Sequence, residues 1–433
     1  MNPKPAVALL ALLACGAGPA AAEAILLTGA HVLDPQGERW LEDQSVFVAG
    51  GKISRIGPAD QMRLADDVRY VDLQGAYLIP GLIDLHSHLL LHPYDETSWD
   101  DQVLRESLEL RTVRAVAAAE ATLRSGFTTL RDLGTEGAGY ADVALRDAIE
   151  QGIVPGPRVL ASTRAIVAHA SYGPSGFDPR WKVPKGAQEA NGVAGVRAVV
   201  REQIAAGADW IKVYADYRRR AGDPSTPTFS QEELDALVDE ATSAGLPVSA
   251  HAVTSEGIRR AVLAGVRTIE HGYEASSEVL ELMRERDVVL CPTLAASEAM
   301  AIYGGWEPGQ DEPDRIRASR EMFERALEAG VTIATGSDVG VFDHGDSARE
   351  VELMVAYGMP AADALRATTS VAAAVIDRGA DLGRVAQGYV ADLIAVRGDP
   401  LQDPSALRNP VFVMKGGIVA REDATPKSQR TKK

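Results

Sequence analysis

The spacing of apolar and polar residues changes along this chain. Near the start, "AILLTGAHVLD", "QSVFVAGGKISRIG" and "YVDLQGAYLIPG" are short runs rich in β-branched and aromatic residues. Gly and Asp turns cut them apart, which predicts a small sheet. Similar runs return late, as "GYVADLIAVRGD" and "PVFVMKGGIVARED". Both ends together predict one composite β-sandwich, over 25–78 and 385–421. The middle alternates strand-like runs with helix-like ones. The strand-like runs are "YLIPGLIDLHSH", "FTTLRDLG", "RVLASTRAI", "DWIKVYA", "PVSAHA", "TIEHG", "VVLCPTL" and "VTIATGSD". Between them lie helical patterns such as "VRAVAAAEATLRSG", "ADVALRDAIEQG" and "SEGIRRAVLAG", several ending in Gly as helix C-caps do. In "FSQEELDALVDEA", Ser230 precedes Glu233 by three residues, a capping-box start. Eight strands with helical crossovers predict an α/β chain with a closed (β/α)8 TIM-type barrel over 79–384, not an open sheet.

With 433 residues the chain can bury a large core. Its net charge of −17 argues against nucleic acid and anionic membrane surfaces as partners. The first 24 residues, "MNPKPAVALLALLACGAGPAAAEA", read as a secretory signal peptide. Lys4 is followed by an apolar run and an A-x-A-like end, and the run is too short for a membrane span. "LLAC", ending at Cys15, resembles a bacterial lipoprotein processing site, although Leu13 departs from the residue favoured there. The expectation is an exported, periplasmic protein, soluble in preference to lipid-anchored at Cys15. Cys291 is then the single mature cysteine, so no internal disulfide forms, and its strand-like surroundings make it core and not nucleophile. Residues 422–433 form a polar tail.

In a barrel of this kind, chemistry gathers at the C-terminal ends of the strands. "GLIDLHSHLLLH" puts His86 and His88 two apart on the first strand, hence on one face. Alone, the pair fits a solvated edge or half of a metal site. The other strand ends decide the matter. Strand four carries Lys212, strand five ends in His251, strand six in His271 and strand eight in Asp338. These are metal-ligand residue types brought to one rim, and they predict a metal site. Ser87 should point away from its neighbours. His92 and His344 fall in loops near the rim as supporting or surface groups, and His31 belongs to the small sheet.

These stretches carry a resemblance. "PGLIDLHSH", "SAHAVTSEGIRRAVLAGVRTIEHG", "TGSD" and "GYVADLIAV" resemble the strand-one, strand-five and -six, strand-eight and late sandwich motifs of the amidohydrolase superfamily. The resemblance runs from Ile25 to about Ala420. Within the superfamily the chain is similar to the imidazolonepropionase-like and prolidase-like branch. "LLLHPYDETSW", "RDLGTEGAGYADVALRDAIEQG" and "SYGPSGF" look most like bacterial ochratoxin A-degrading amidohydrolases.

The resemblance implies two divalent metal ions. His86, His88 and Asp338 would hold one, and His251 and His271 the other. Lys212 would bridge them as a carbamate, because an ammonium beside two cations is repelled. A buried salt-bridge lysine at Lys212, or a mononuclear site, stays open. The His-rich, oxygen-completed set suits zinc and admits other divalent ions. The implied mechanism uses a metal-activated hydroxide, with Asp338 as the general base that hands the proton to the leaving amine. Tyr214 shares a strand face with Lys212 and would serve as oxyanion donor or as a core tyrosine. The expected substrate is a small-molecule amide that yields a C-terminal amino acid: an N-acyl amino acid, a dipeptide, or an ochratoxin A-type amide releasing phenylalanine. The alternative is an Xaa-Pro dipeptidase or a cyclic-amide hydrolase. Arg218, Arg219 and Arg220, after strand four, could bind a substrate carboxylate or form a solvated charge run. His169 and Tyr172, after strand three, are candidate substrate contacts. Many relatives carry "GGH" there, whereas this chain reads "AHASYGP". A homo-oligomer is left open. A non-catalytic relative would have lost a ligand or the base, and none is missing.

Overall fold

The computed structural model of the protein describes residues 23–62, 64, 67–178, 180–220 and 222–423. Residues 1–22 of the expected leader, with Cys15, and residues 424–433 of the expected tail lie outside the described residues.

The middle of the chain is a parallel barrel. Its first strand, Leu82–Ser87, pairs with Phe127–Asp132, which pairs in turn with Arg158–Ala161. Ile211–Tyr214, Val248–Thr254, Thr268–Glu274 and Val289–Cys291 follow as parallel neighbours. The third and fourth strands are joined where Asp209 N–H donates to the Ala161 carbonyl at 2.7 Å. The eighth run, expected as a strand, closes the barrel without becoming regular. Leu290 N–H donates to Thr332 O at 2.9 Å on one side; on the other, Leu85 N–H donates to Thr335 O at 2.9 Å and Asp338 N–H to His86 O at 2.8 Å. The run ends at Asp338, whose φ of 62° lies outside the extended region.

Two other runs also differ from expectation. "YLIPGLIDLHSH" is two strands, Tyr77–Pro80 in the outer sheet and Leu82–Ser87 in the barrel. Gly81 makes the handover, because a Cβ there would lie 2.2 Å from Thr128 Oγ1. "RVLASTRAI" also divides: Ile166–Ala168 leaves the third strand and pairs with Gln188–Ala190.

The helices form as their sequences direct. Ser230 and Glu233 make both bonds of the capping box on Gln231–Ser243. Gly265 ends Ser255–Ala264 in the left-handed conformation, at a φ of 95°. That helix buries Ile258, Ala261 and Val262 against the barrel. Burying Ile258 contributes on the order of 1.5–3 kcal/mol, so Ile258→Ala would loosen the wall beside the fifth and sixth strands.

Both ends of the chain meet outside the barrel. Ile25–Thr28, Ser45–Ala49, Lys52–Gly57 and Arg69–Asp72 form one sheet. The second sheet runs in the order Ile418–Glu422, Pro410–Lys415, Leu393–Val396, Tyr77–Pro80, His31–Leu33, Trp40–Leu41. Ile25, Val48 and Ile53 of the first pack with Leu78, Leu393 and Phe412 of the second in one core. His31 stacks on Tyr77 in this layer, 4.8 Å between ring centroids.

Candidate metal centre

Strand pleat places the first histidines. His86 and His88 point the same way, as residues two apart in a strand must. One ligand atom from each of His86, His88 and Asp338 lies within 4.8 Å of the others. Asp338 Oδ1 is 3.4 Å from His86 Nε2 and 3.2 Å from His88 Nε2. The opposite ring nitrogens are anchored: His86 Nδ1 lies 2.9 Å from Glu270 Oε2, and His88 Nδ1 donates to Gly134 O at 2.9 Å. With Nδ1 held, each Nε2 is left for the centre.

The other expected ligands converge on the same point. The His271 ring centroid is 5.2 Å from that of His86 and 4.5 Å from that of His251. His271 Nδ1 is 2.8 Å from Thr293 Oγ1. Three residues here carry positive φ without being glycine: His271 at 75°, Thr293 at 53° and Asp338 at 62°. Such backbone persists where packing over-determines it, commonly at functional sites.

Lys212 lies inside the barrel and is 1% exposed. Its Nζ has no hydrogen-bond partner among the described residues, and neither has His251 Nε2. An isolated buried amine and an isolated buried imidazole nitrogen are costly, and groups left this way fit an absent ligand. Burial, with Arg131 nearby, pulls the Lys212 amine down to about 8.

The electrostatics suit cation binding. Burial and the neighbouring cations keep His251 and His271 well below the usual histidine range, so both are neutral donors. Burial also leads in taking His86 down to about 4, with Lys212 adding to it. His88 differs. Burial opposes its charge, but its bond to Asp338 lifts it to about 9. Burial opposes charge on Asp338 too, yet His86, His88 and Lys212 outweigh it and lower the carboxyl.

Above the centre opens a cavity of about 750 Å³. Tyr214 lines it and stacks on His251 at 4.3 Å between centroids and 12° between planes. Tyr172 lines it too. Arg218, Arg219 and Arg220 stand exposed at its mouth on a hairpin, Asp216–Arg218 paired with Ser225–Pro227. His169 does not join them. Its side chain is 65% exposed, lies outside the cavity lining and pairs with Glu189 at 3.1 Å. His92 is held between Glu96 and Glu106, 3.0 Å from each, and His344 Nε2 donates to Leu91 O, so both brace loops. Cys291 is fully buried, as a core residue.

Four side chains around the centre and its cavity carry no clear signal in the sequence. Glu270 and Arg131 are both fully buried and paired at 2.9 Å, and Arg131 lies over the Trp210 ring at 4.3 Å. Ser249 Oγ also donates to Glu270, at 2.7 Å. A charged residue in the middle of a strand-like run is the only sequence signal either gives. Glu136 comes from the loop after the second strand and Trp99 from the first turn of helix Trp99–Arg105, which follows the first; they meet at 3.0 Å in the cavity lining. Nothing local in the sequence marks that meeting.

Comparison with known proteins agrees with this geometry. The model of the Amidohydrolase family matches residues 77–421. An ochratoxinase from Aspergillus niger is 32% identical over 372 residues, covering 78% of this chain and 75% of the relative. The crystal structure of an Xaa-Pro dipeptidase with methionine bound in its active site superposes with a TM-score of 0.80 at 31% identity, covering 92% of this chain and 99% of that one. A prolidase complexed with N-methylphosphonate-L-proline gives a TM-score of 0.79 at 30% identity, covering 92% and 100%.

Proposed function

The chain belongs to the amidohydrolase family, a metal-dependent hydrolase of C–N bonds, and on that premise we propose that it is a dipeptidase that releases a C-terminal amino or imino acid, in the manner of an Xaa-Pro dipeptidase. The carrying observation is the convergence of His86, His88 and Asp338 at the floor of a cavity whose mouth holds three arginines. The likeness to two prolidase-type structures over nearly their whole length supports a dipeptide ahead of an ochratoxin-type amide. The ochratoxinase relative favours the second reading, in which a bulkier acyl group is accepted.

In this proposal His86, His88 and Asp338 would hold one divalent ion and His251 and His271 a second. Lys212 would be a further ligand, as the carbamate formed when its neutral amine adds CO2 and loses a proton. The unpartnered Lys212 Nζ and His251 Nε2 support that arrangement. When bound, the ions supply Lewis acidity to the scissile carbonyl and acidify the attacking water. Asp338 would act as the general base and return the proton to the departing nitrogen. Tyr214, on the cavity wall, is the donor for oxygen charge developing in the transition state. The arginines of the hairpin receive the substrate carboxylate. The leader-like residues 1–24 support export.

The test is to count metal in the purified protein and follow amino acid release from Xaa-Pro dipeptides, N-acyl amino acids, ochratoxin A and cyclic imides, before and after chelation. Chelator-sensitive cleavage of dipeptides is expected. Cleavage of cyclic imides alone would replace the dipeptidase reading.

A further inference from the structure

The cavity contains an acid that the hydrolytic chemistry above leaves unused. Glu136 is 2% exposed and lines the cavity beside the centre. Its Oε2 accepts from Tyr172 Oη at 2.6 Å and from Trp99 Nε1 at 3.0 Å. Tyr214 Oη lies 3.5 Å from Oε1. All three donors are neutral. Its side-chain hydrogen bonds come from these neutral donors, and no direct ion pair to it is formed among the described residues; Arg111 binds the Glu136 main-chain oxygen at 2.7 Å, and the charges of Arg111 and His88 act on the acid from further off. A buried carboxylate without a direct cation partner is costly in a cavity wall.

Its surroundings are constructed. Trp99 packs on Tyr172 with centroids 5.0 Å apart, and Tyr172 packs on Tyr214 at 4.8 Å and on Tyr217 at 5.0 Å. Gly186 makes room for this wall, since a Cβ there would lie 2.3 Å from Trp99 Cζ2. Glu136 itself is held at a φ of 48°. One buried carboxylate, oriented by neutral donors in an aromatic wall, is the chemistry that selects an ammonium.

We infer that Glu136, walled by Trp99, Tyr172 and Tyr214, is the subsite for the free α-ammonium of the substrate. The inference rests on the dipeptidase proposal and narrows it to unblocked dipeptides. Position supports it. An α-ammonium is one carbon from the scissile carbonyl, so its anchor must stand next to the centre. Glu136 is two residues from Gly134, whose carbonyl fixes His88. The arginines stand at the mouth of the same cavity, so it offers a negative group near the floor and positive groups at the rim. A zwitterionic dipeptide has the matching polarity.

The experiment compares kcat/KM for Ala-Pro and N-acetyl-Ala-Pro in the wild type, Glu136→Gln and Tyr172→Phe. The wild type should prefer the free amine. Glu136→Gln should shrink that preference by about tenfold to a hundredfold, chiefly through KM, the scale of one charged hydrogen bond. Tyr172→Phe, which keeps the acid and the ring, should shrink it less. A merely supporting role for Glu136 would lower both substrates alike and leave the ratio unchanged, which overturns the subsite. Equal cleavage of both substrates by the wild type overturns it too, while the dipeptidase proposal stands. If neither is cleaved, both ideas fall.

Discussion

His86 Nδ1 and Glu270 Oε2 lie 2.9 Å apart, although the two residues are 184 positions apart in the chain. The carboxylate is fully buried and shared: Arg131, Ser249 and Thr268 bind its other oxygen. Burial alone would neutralise it, but Arg131 and His86 hold it far below the usual carboxylate range. It therefore orients the His86 ring and keeps its Nε2 free for the centre.

Glu270→Gln should keep the shape and weaken metal binding by about 10- to 100-fold, the usual cost of losing such a support. Glu270→Ala should also unfold more easily, by roughly 3–5 kcal/mol, because Arg131 is left buried without a partner. Metal titration and denaturant unfolding read the two effects separately. Unchanged affinity in Glu270→Gln would deny the orienting role.

Asp338→Asn removes both an anionic ligand and the proposed base. Activity should fall by at least 10²- to 10⁴-fold, about the range of a general base. Chelation of the wild type should abolish turnover, and added zinc should restore it. Turnover that survives both treatments would exclude the mechanism given above.

Lys212→Ala should lower metal content, and native mass spectrometry of the wild type should show an added CO2 that vanishes on acidification. The basis is an amine with burial-lowered basicity and no partner. Full metal occupancy in Lys212→Ala would leave the carbamate ligand without support.

Glu350, outside the candidate ligand set, gives a second pH dependence. It accepts from Leu294 N at 3.0 Å and Ala295 N at 2.7 Å, which cap helix Leu294–Tyr303 in place of a Thr293 side-chain bond. Burial lifts its carboxyl from 4.5 to about 8, against the pull of those donors. The folded chain thus keeps a proton that the unfolded chain releases. This contribution is fully present below 4.5 and is lost as pH rises through about 8. Glu350→Gln should remove that slope while costing about 1–3 kcal/mol, because its NH2 faces a backbone donor. Denaturant curves at the two ends of the window measure both; parallel behaviour of wild type and variant would refute the assignment.

Much of the barrel could be read directly from the chain. Period-two runs separated by capped helices define it locally, and the i, i+2 spacing of His86 and His88 needs only the pleat of a strand. Strand ends also placed Lys212, His251, His271 and Asp338 at one rim, where the structure brings them together. His169 lies apart, exposed and paired with Glu189, because a position just after a strand does not say which way a loop side chain turns.

Residues 270 and 271 show where sequence reasoning stops. Strict alternation sends neighbours to opposite faces, so Glu270 and His271 could not both serve one site. The positive φ at His271 breaks the alternation and allows both. Closure of the barrel then brings Glu270 to His86, and pairing of the first two strands brings Glu136 to Trp99. Sequence by itself determined the candidate ligand types and the strands that carry them, because both follow from local periodicity. Only the tertiary structure decided which buried charges meet and which loop residues face the cavity. Those outcomes depend on long-range packing and on backbone conformations that no local pattern encodes.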